Sequence, residues 1–168
     1  FEPTMAAMKA EGRPFQGVIY FGLMLTPEGP KVVEYNARFG DPECQALLMR
    51  LDTDLMDILE ACVNGTLDQL DICWKQEASC CLVLASGGYP VAYEKGKVIT
   101  GLDAVEGAVV FHAGTAAKDG AVVTNGGRVL GVTALGDTLE NAIQNAYAAA
   151  KPIHFEGMHF RNDIGHAF

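Results

Sequence analysis

An α+β fold in two parts is what this sequence predicts, and three observations predict it. The apolar, β-branched run GVIYFGLMLT (17–26) turns at PEGP and returns as KVVEYN (31–36), which reads as an antiparallel hairpin. From about residue 66 the texture changes to short strands punctuated by Gly, Pro and Asn, from ASCCLVLASGGYP to RVLGVTAL. A strongly periodic helix, GDTLENAIQNAYAAAKP, follows them. The expected plan is the tail of an α+β domain over residues 1–70, then a small β-rich domain with one or two packed helices over 71–168.

The chain opens FEPTMAAMKAEGRPF, where Met5, Ala6 and Met8 suggest a helix that stops at Gly12. The absence of an initiator Met makes a piece of something longer the expectation. The run 17–26 is apolar on alternate and intervening positions alike, so a strand buried on both faces is expected. Asp41-Pro42-Glu43 announces a helix, with Asp41 suited to the N-cap and Pro42 to the first helical position. A second helix places Leu55, Ile58, Leu59 and Cys62 on one face and ends at Asn64-Gly65. AVVFHAGT and AVVTNGGRVLGVTAL add three further strands, the last two joined at Asn125-Gly126 as a hairpin turn. In the long helix, Asp137 and Glu140 have capping-box spacing, and Leu139, Ala142, Ile143, Ala146, Tyr147 and Ala150 form the apolar face before Pro152.

Nearly half the residues are apolar (49%), so a packed core is expected and wholesale disorder is not. Twelve basic against twenty-one acidic residues leave a net charge of −9, which argues against a nucleic-acid or anionic-membrane surface. A nucleotide site stays open, because a local Arg or a bound cation offsets local charge. Cys44, Cys62, Cys73, Cys80 and Cys81 are odd in number and lack a C-x-x-C pair. They read as reduced, mostly buried thiols of a cytoplasmic protein, with adjacent Cys80 and Cys81 on opposite strand faces.

In VVEYNARFGDPECQ (32–45), Glu34, Asn36 and Arg38 fall at every second position. On a strand they share a face, with successive Cα atoms ~6.6 Å apart. A carboxylate and an amide oxygen so placed suit a small hard cation whose other ligands are phosphates and water. Arg38 suits a phosphate or transition-state clamp. By spacing alone a solvated polar face is the favoured account of E-x-N, Asp41 reads as an N-cap, and Gly40 reads as a turn residue.

The stretch EYNARFGDPECQ resembles the E-x-N-x-R-F-G-D-P-E segment of the phosphoribosylamine–glycine ligase (glycinamide ribonucleotide synthetase) family, ATP-grasp enzymes of purine biosynthesis. EPTMAAMKAEGRPFQGVIYFGLML resembles the helix and strand before that segment. LASGGYPVAYEKGKVITG, TNGGRVLGVTALGDTLENAIQNAY and FRNDIG resemble the family's C-terminal domain. The resemblance implies the C-terminal part of an ATP-grasp domain followed by a small, barrel-like β-rich domain. It implies a ligation of glycine with phosphoribosylamine driven by ATP as co-substrate, through a glycyl phosphate. Glu34 and Asn36 would ligate Mg²⁺ or Mn²⁺, Arg38 would be catalytic, and Gly40, Asp41, Pro42 and Glu43 would shape the substrate pocket. The family's N-terminal domain and preceding ATP-grasp segments, which would be the missing partners of this chain, have no counterpart here. The isolated chain is accordingly expected to be inactive, with an apolar hairpin face around Val18, Tyr20, Leu23 and Leu25 short of a packing partner.

No Walker-type G-x-x-x-x-G-K-[ST] is present. His112, His154, His159 and His166 lack metal-site spacing, SGGYP and TNGG read as turns, and Trp74 reads as a core or domain-junction residue. Arg161 and Asp163 of FRNDIG suggest a structural ion pair in a segment packed back on the first domain. Two other readings stand beside the ligase. One is a non-catalytic acidic, β-rich packing module; the other is a different purine-pathway ATP-grasp carboxylase or ligase.

Overall fold

A computed structural model describes residues 1–165. Its contacts divide the chain into two units, Phe1–Gly40 with Leu51–Trp74, and Asp41–Arg50 with the residues from Lys75 onward. The sequence expectation drew one boundary at residue 70. The short helix after Pro42 instead groups with the later unit.

In the first unit, helix α1 (Glu2–Ala10) has Pro3 in its first turn, and Gly12 follows it at φ 72°. Strands β1 (Tyr20–Thr26) and β2 (Gly29–Asn36) form the expected antiparallel hairpin, with Pro27 and Glu28 as its two-residue loop. Thr26 Oγ1 donates to Gly29 O at 2.7 Å and fixes that turn. The register slips once: Gly22 faces Glu34 but Leu23 faces Val32, so Val33 is an extra, bulged residue. Burial on both faces of β1 does not occur. Leu23, Met24 and Leu25 are exposed, because among the described residues the unit offers two strands and no layer that covers them. Phe1 packs edge-on against Phe21, and Phe21 against Tyr35, with ring centroids 4.5 and 5.0 Å apart.

Two helices separate β2 from the next strand: α2 (Glu43–Arg50), which belongs to the second unit, and α3 (Leu55–Asn64), which belongs to the first. In α3, Asp54 caps the N-terminus by accepting from Met56 N at 2.8 Å, and Gly65 closes the C-terminus at φ 70°, as the Asn-Gly stop predicts.

The second unit holds the core. Strands β3 (Ala78–Ala85), β4 (Ala108–His112) and β7 (Arg128–Gly136) form an open antiparallel sheet in the order β3-β7-β4. Strands β5 (Thr115–Lys118) and β6 (Ala121–Thr124) form a separate hairpin. Asn125-Gly126 does not join a paired hairpin, because β6 pairs back to β5 while β7 pairs with β3 and β4. The hairpin turn is Asp119-Gly120, both at positive φ (50° and 79°), the geometry that a two-residue primed turn requires. Helix α4 (Leu139–Ala150) covers one sheet face. Its Ala142, Ile143 and Ala146 meet Leu82, Leu84, Leu130 and Val132, all buried, with Ile153 and Phe155 closing the cluster. Thr138 is its N-cap, accepting from Asn141 N at 3.1 Å, in place of the expected Asp137–Glu140 pair. Leu139, expected on the apolar face, is exposed.

The other sheet face is covered by α2. Ser79 Oγ donates to Ala46 O at 2.8 Å, and the Cys81 thiol lies beside Gly131 and Gln45. Cys80 points to the α4 core, so the two thiols do take opposite faces. The FRNDIG segment docks on α4 within this unit: Tyr147 Oη donates to Arg161 O at 2.7 Å and accepts from Ile164 N at 3.1 Å.

Candidate active site

The candidate residues fall on both units. In the first unit, Glu34 and Asn36 are the third-last and last residues of β2. Their side chains share a face, with Asn36 Nδ2 donating to Glu34 Oε1 at 3.1 Å. Cross-strand partners share a face too, so this face also carries Gly22 and Tyr20. Leu23, Val32, Phe21 and Tyr35 stand on the other, which removes Tyr20 from the expected apolar set. The bulge at Val33 makes this separation, since it resets the alternation between Val32 and Glu34.

Gly22 is a part of this group that the sequence reading missed. A Cβ there would lie 2.8 Å from Glu34 Cγ, so glycine lets the carboxylate stem lie across the strand pair without shifting. Its signal was a glycine inside a β-branched run. Arg38 lies past the end of β2, is exposed, and donates from Nη1 to Phe39 O at 2.7 Å. Among the described residues its one side-chain hydrogen bond is this one, and it does not reach the Glu34–Asn36 pair. Gly40 is buried.

The donor set fits a hard divalent cation in chemistry: one carboxylate and one amide, adjacent and open to solvent, leave most coordination positions to phosphate and water. Among the described residues no group of three or more His, Cys, Asp or Glu is placed to hold a metal. His112, His154 and His159 are exposed, and His112 Nδ1 pairs with Thr115 Oγ1 at 3.0 Å. His166 lies outside the described residues.

In the second unit, Asp41 and Pro42 form a turn ahead of α2, whose first residue is Glu43. Asp41 is not used as a simple cap. Its Oδ1 accepts from Gln45 Nε2 at 2.9 Å, its Oδ2 lies 3.2 Å from Arg128 Nη2, and its carbonyl accepts from Arg128 Nη1 at 2.6 Å. Arg128 opens β7, directly after Gly126-Gly127. Those glycines meet the SGGYP turn: Ser86 Oγ donates to Gly126 O at 2.9 Å, Ser86 N donates to Gly127 O at 2.8 Å, and the Tyr89 ring occupies the space that a Gly127 side chain would need. Three motifs far apart in sequence, D-P-E, S-G-G-Y-P and N-G-G-R, thus converge at one end of the second unit's sheet. Neither Arg128 nor Gln45 was singled out from the sequence.

Burial sets the thiols nearby. Desolvation pushes the Cys44 thiol up, and the Asp41 carboxylate adds to it. Burial also raises Cys81, against the Thr133 hydroxyl opposite, while Cys80, Asp41 and Glu43 push the same way as burial. All five cysteines are free; Cys80 is buried, Cys73 exposed and the rest half-buried, so the expectation of mostly buried thiols was too strong. Trp74 is the last residue of the first unit and is 42% exposed, bridging to Leu51 rather than entering a core. Arg161 and Asp163 form the expected ion pair, with Nε to Oδ1 at 2.8 Å.

Residues 79–167 match the phosphoribosylglycinamide synthetase C domain, and residues 1–44 match the ATP-grasp (A) domain of the same synthetase. A phosphoribosylamine–glycine ligase of Vibrio vulnificus is 54% identical over 167 residues, covering 98% of this chain and 39% of that protein. A bifunctional purine biosynthetic protein of Schizosaccharomyces pombe is 52% identical over 98% of this chain and 21% of its own length. The crystal structure of a phosphoribosylamine–glycine ligase from Thermotoga maritima superposes with a TM-score of 0.79 at 38% identity, over 95% of this chain and 40% of that one. The chain therefore spans about two-fifths of the ligases it matches. With the C-domain match covering more than half of its residues, the chain belongs to the phosphoribosylglycinamide synthetase family.

Proposed function

We propose that this chain is part of an ATP-dependent carbon–nitrogen ligase that joins glycine to 5-phosphoribosylamine, giving glycinamide ribonucleotide, ADP and phosphate. The observation that carries the reading is the Glu34–Asn36 pair, 3.1 Å apart on one open strand face within the ATP-grasp match. In the proposed reaction a glycine carboxylate oxygen bonds to the γ-phosphorus of ATP as the bond to the β-phosphate oxygen breaks. The amine of phosphoribosylamine then attacks the acyl carbon of glycyl phosphate, expels phosphate and loses a proton. Glu34 and Asn36 would hold Mg²⁺ or Mn²⁺, whose bound form neutralises charge on the ATP phosphates. Arg38, released from Phe39 O, would set its guanidinium against the transferring phosphoryl group. Gly40, Asp41, Pro42 and Glu43 are assigned to substrate contacts. The five free thiols suit the cytoplasm, and no described helix is long and apolar enough to cross a membrane.

The test is a chimera in which this chain replaces the aligned residues of the Vibrio vulnificus ligase. ADP release that depends on both glycine and phosphoribosylamine supports the reading. Glu34→Ala and Asn36→Ala are each expected to lower it by about 100-fold and to weaken Mn²⁺ binding in parallel. A chimera whose activity ignores both substitutions would contradict the metal assignment.

A further inference from the structure

We propose that Arg128 is a positioning residue, which holds the Asp41-Pro42-Glu43 turn in the shape that its substrate needs. The proposal rests on the reading of that turn as a substrate contact.

The turn is gripped from two elements. Arg128 reaches from the start of β7 with both terminal guanidinium nitrogens, Nη1 to the Asp41 carbonyl at 2.6 Å and Nη2 to the Asp41 carboxylate at 3.2 Å. Gln45, in the first turns of α2, donates to the other carboxylate oxygen at 2.9 Å. One residue is thereby fixed at its backbone and at both side-chain oxygens. Eighty-seven residues separate Asp41 from Arg128, so the grip is tertiary.

The base of Arg128 is itself fixed. The preceding Gly126 and Gly127 carbonyls accept from Ser86, and β7 runs from Arg128 into fully buried residues. A planar fork on a rigid strand restricts what it binds, which an ammonium on a flexible stem does not. Asp41 and Arg128 are each about two-fifths exposed. Such an exposed pair contributes little to global stability, so geometry is the better account of this double contact.

Two measurements test this. In the isolated chain, Arg128→Ala should speed amide exchange at Asp41 and Glu43 by about tenfold while β3 and β7 amides hold their rates. Unchanged exchange at the turn, or acceleration spread equally through the sheet, would overturn the local grip. In the chimera, Arg128→Ala should raise the KM for glycine or phosphoribosylamine about tenfold with the KM for ATP unchanged, and Arg128→Lys should recover part of the loss. A fall in kcat alone would instead mark a structural role and overturn the proposal. Glu43→Ala separates the two ideas. If it raises KM and Arg128→Ala does not, the positioning proposal fails and the substrate reading stands; if neither does, the substrate reading of the turn fails.

Discussion

Single residues decide how closely elements approach, and Gly101 shows the size of the effect. It sits at φ 80°, and a Cβ there would run into the Pro152–Ile153 backbone. Neither a left-handed backbone nor a main-chain neighbour yields cheaply to a methyl group. Gly101→Ala should cost at least ~2 kcal/mol by urea unfolding, and a variant within ~0.5 kcal/mol of the parent would refute the clash. Three buried or half-buried thiols make a second prediction, with a definite sign. Cys44, Cys80 and Cys81 are raised above the ordinary thiol value, first by burial. The unfolded chain therefore releases these protons before the folded one does. Their contribution to stability is whole below about pH 8.5 and is lost as pH climbs through the folded values. A Cys80→Ala/Cys81→Ala chain should show a shallower fall in urea midpoint over that alkaline range; an equally steep fall would remove the thiols as its cause.

At the scale of elements, the start of α4 separates two adjacent candidates for one job. Thr138 accepts from Asn141 N, and no such cap is made by Asp137. Thr138→Ala should destabilise the chain by about 1 kcal/mol and Asp137→Ala by much less; the reverse order would restore the capping box as first read. The same near miss recurs elsewhere, and it explains what was legible. Period and punctuation identified the β1–β2 hairpin, α3 with its Asn-Gly stop, and α4, because each rests on contacts between near neighbours. Pairing of β7 with β3 and β4 is non-local, so the Asn125-Gly126 signal was assigned to the wrong partners while Asp119-Gly120 went unread. The E-x-N pair was legible because strand alternation alone brings its members together. Arg128 and Gln45 were not, since nothing in local spacing ties residue 128 to residue 41. The bulge at Val33 was equally invisible, yet it sets which residues share a face with Glu34.

Across the whole molecule, stability is distributed unevenly. Every buried hydrophobic residue among those described lies in the second unit, from Cys80 to Phe155. The first unit instead leaves Leu23, Leu25, Val32 and Tyr35 exposed on one face of a two-stranded hairpin. A hairpin with an uncovered apolar face is marginal in water, and covering one leucine is worth roughly 1.5–3 kcal/mol. The isolated chain should therefore lower its free energy by pairing these faces between copies. Sedimentation velocity should show mass rising with concentration up to about 100 µM, and Leu25→Lys with Val32→Lys should return the chain to a monomer. The second unit should keep its own cooperative unfolding in both cases, because its core contains none of the substituted residues. A parent chain that stays monomeric throughout that range would show that the hairpin tolerates water without a partner. An assembly that survives both lysines would have to be held by another surface, and the first unit would then not be its cause.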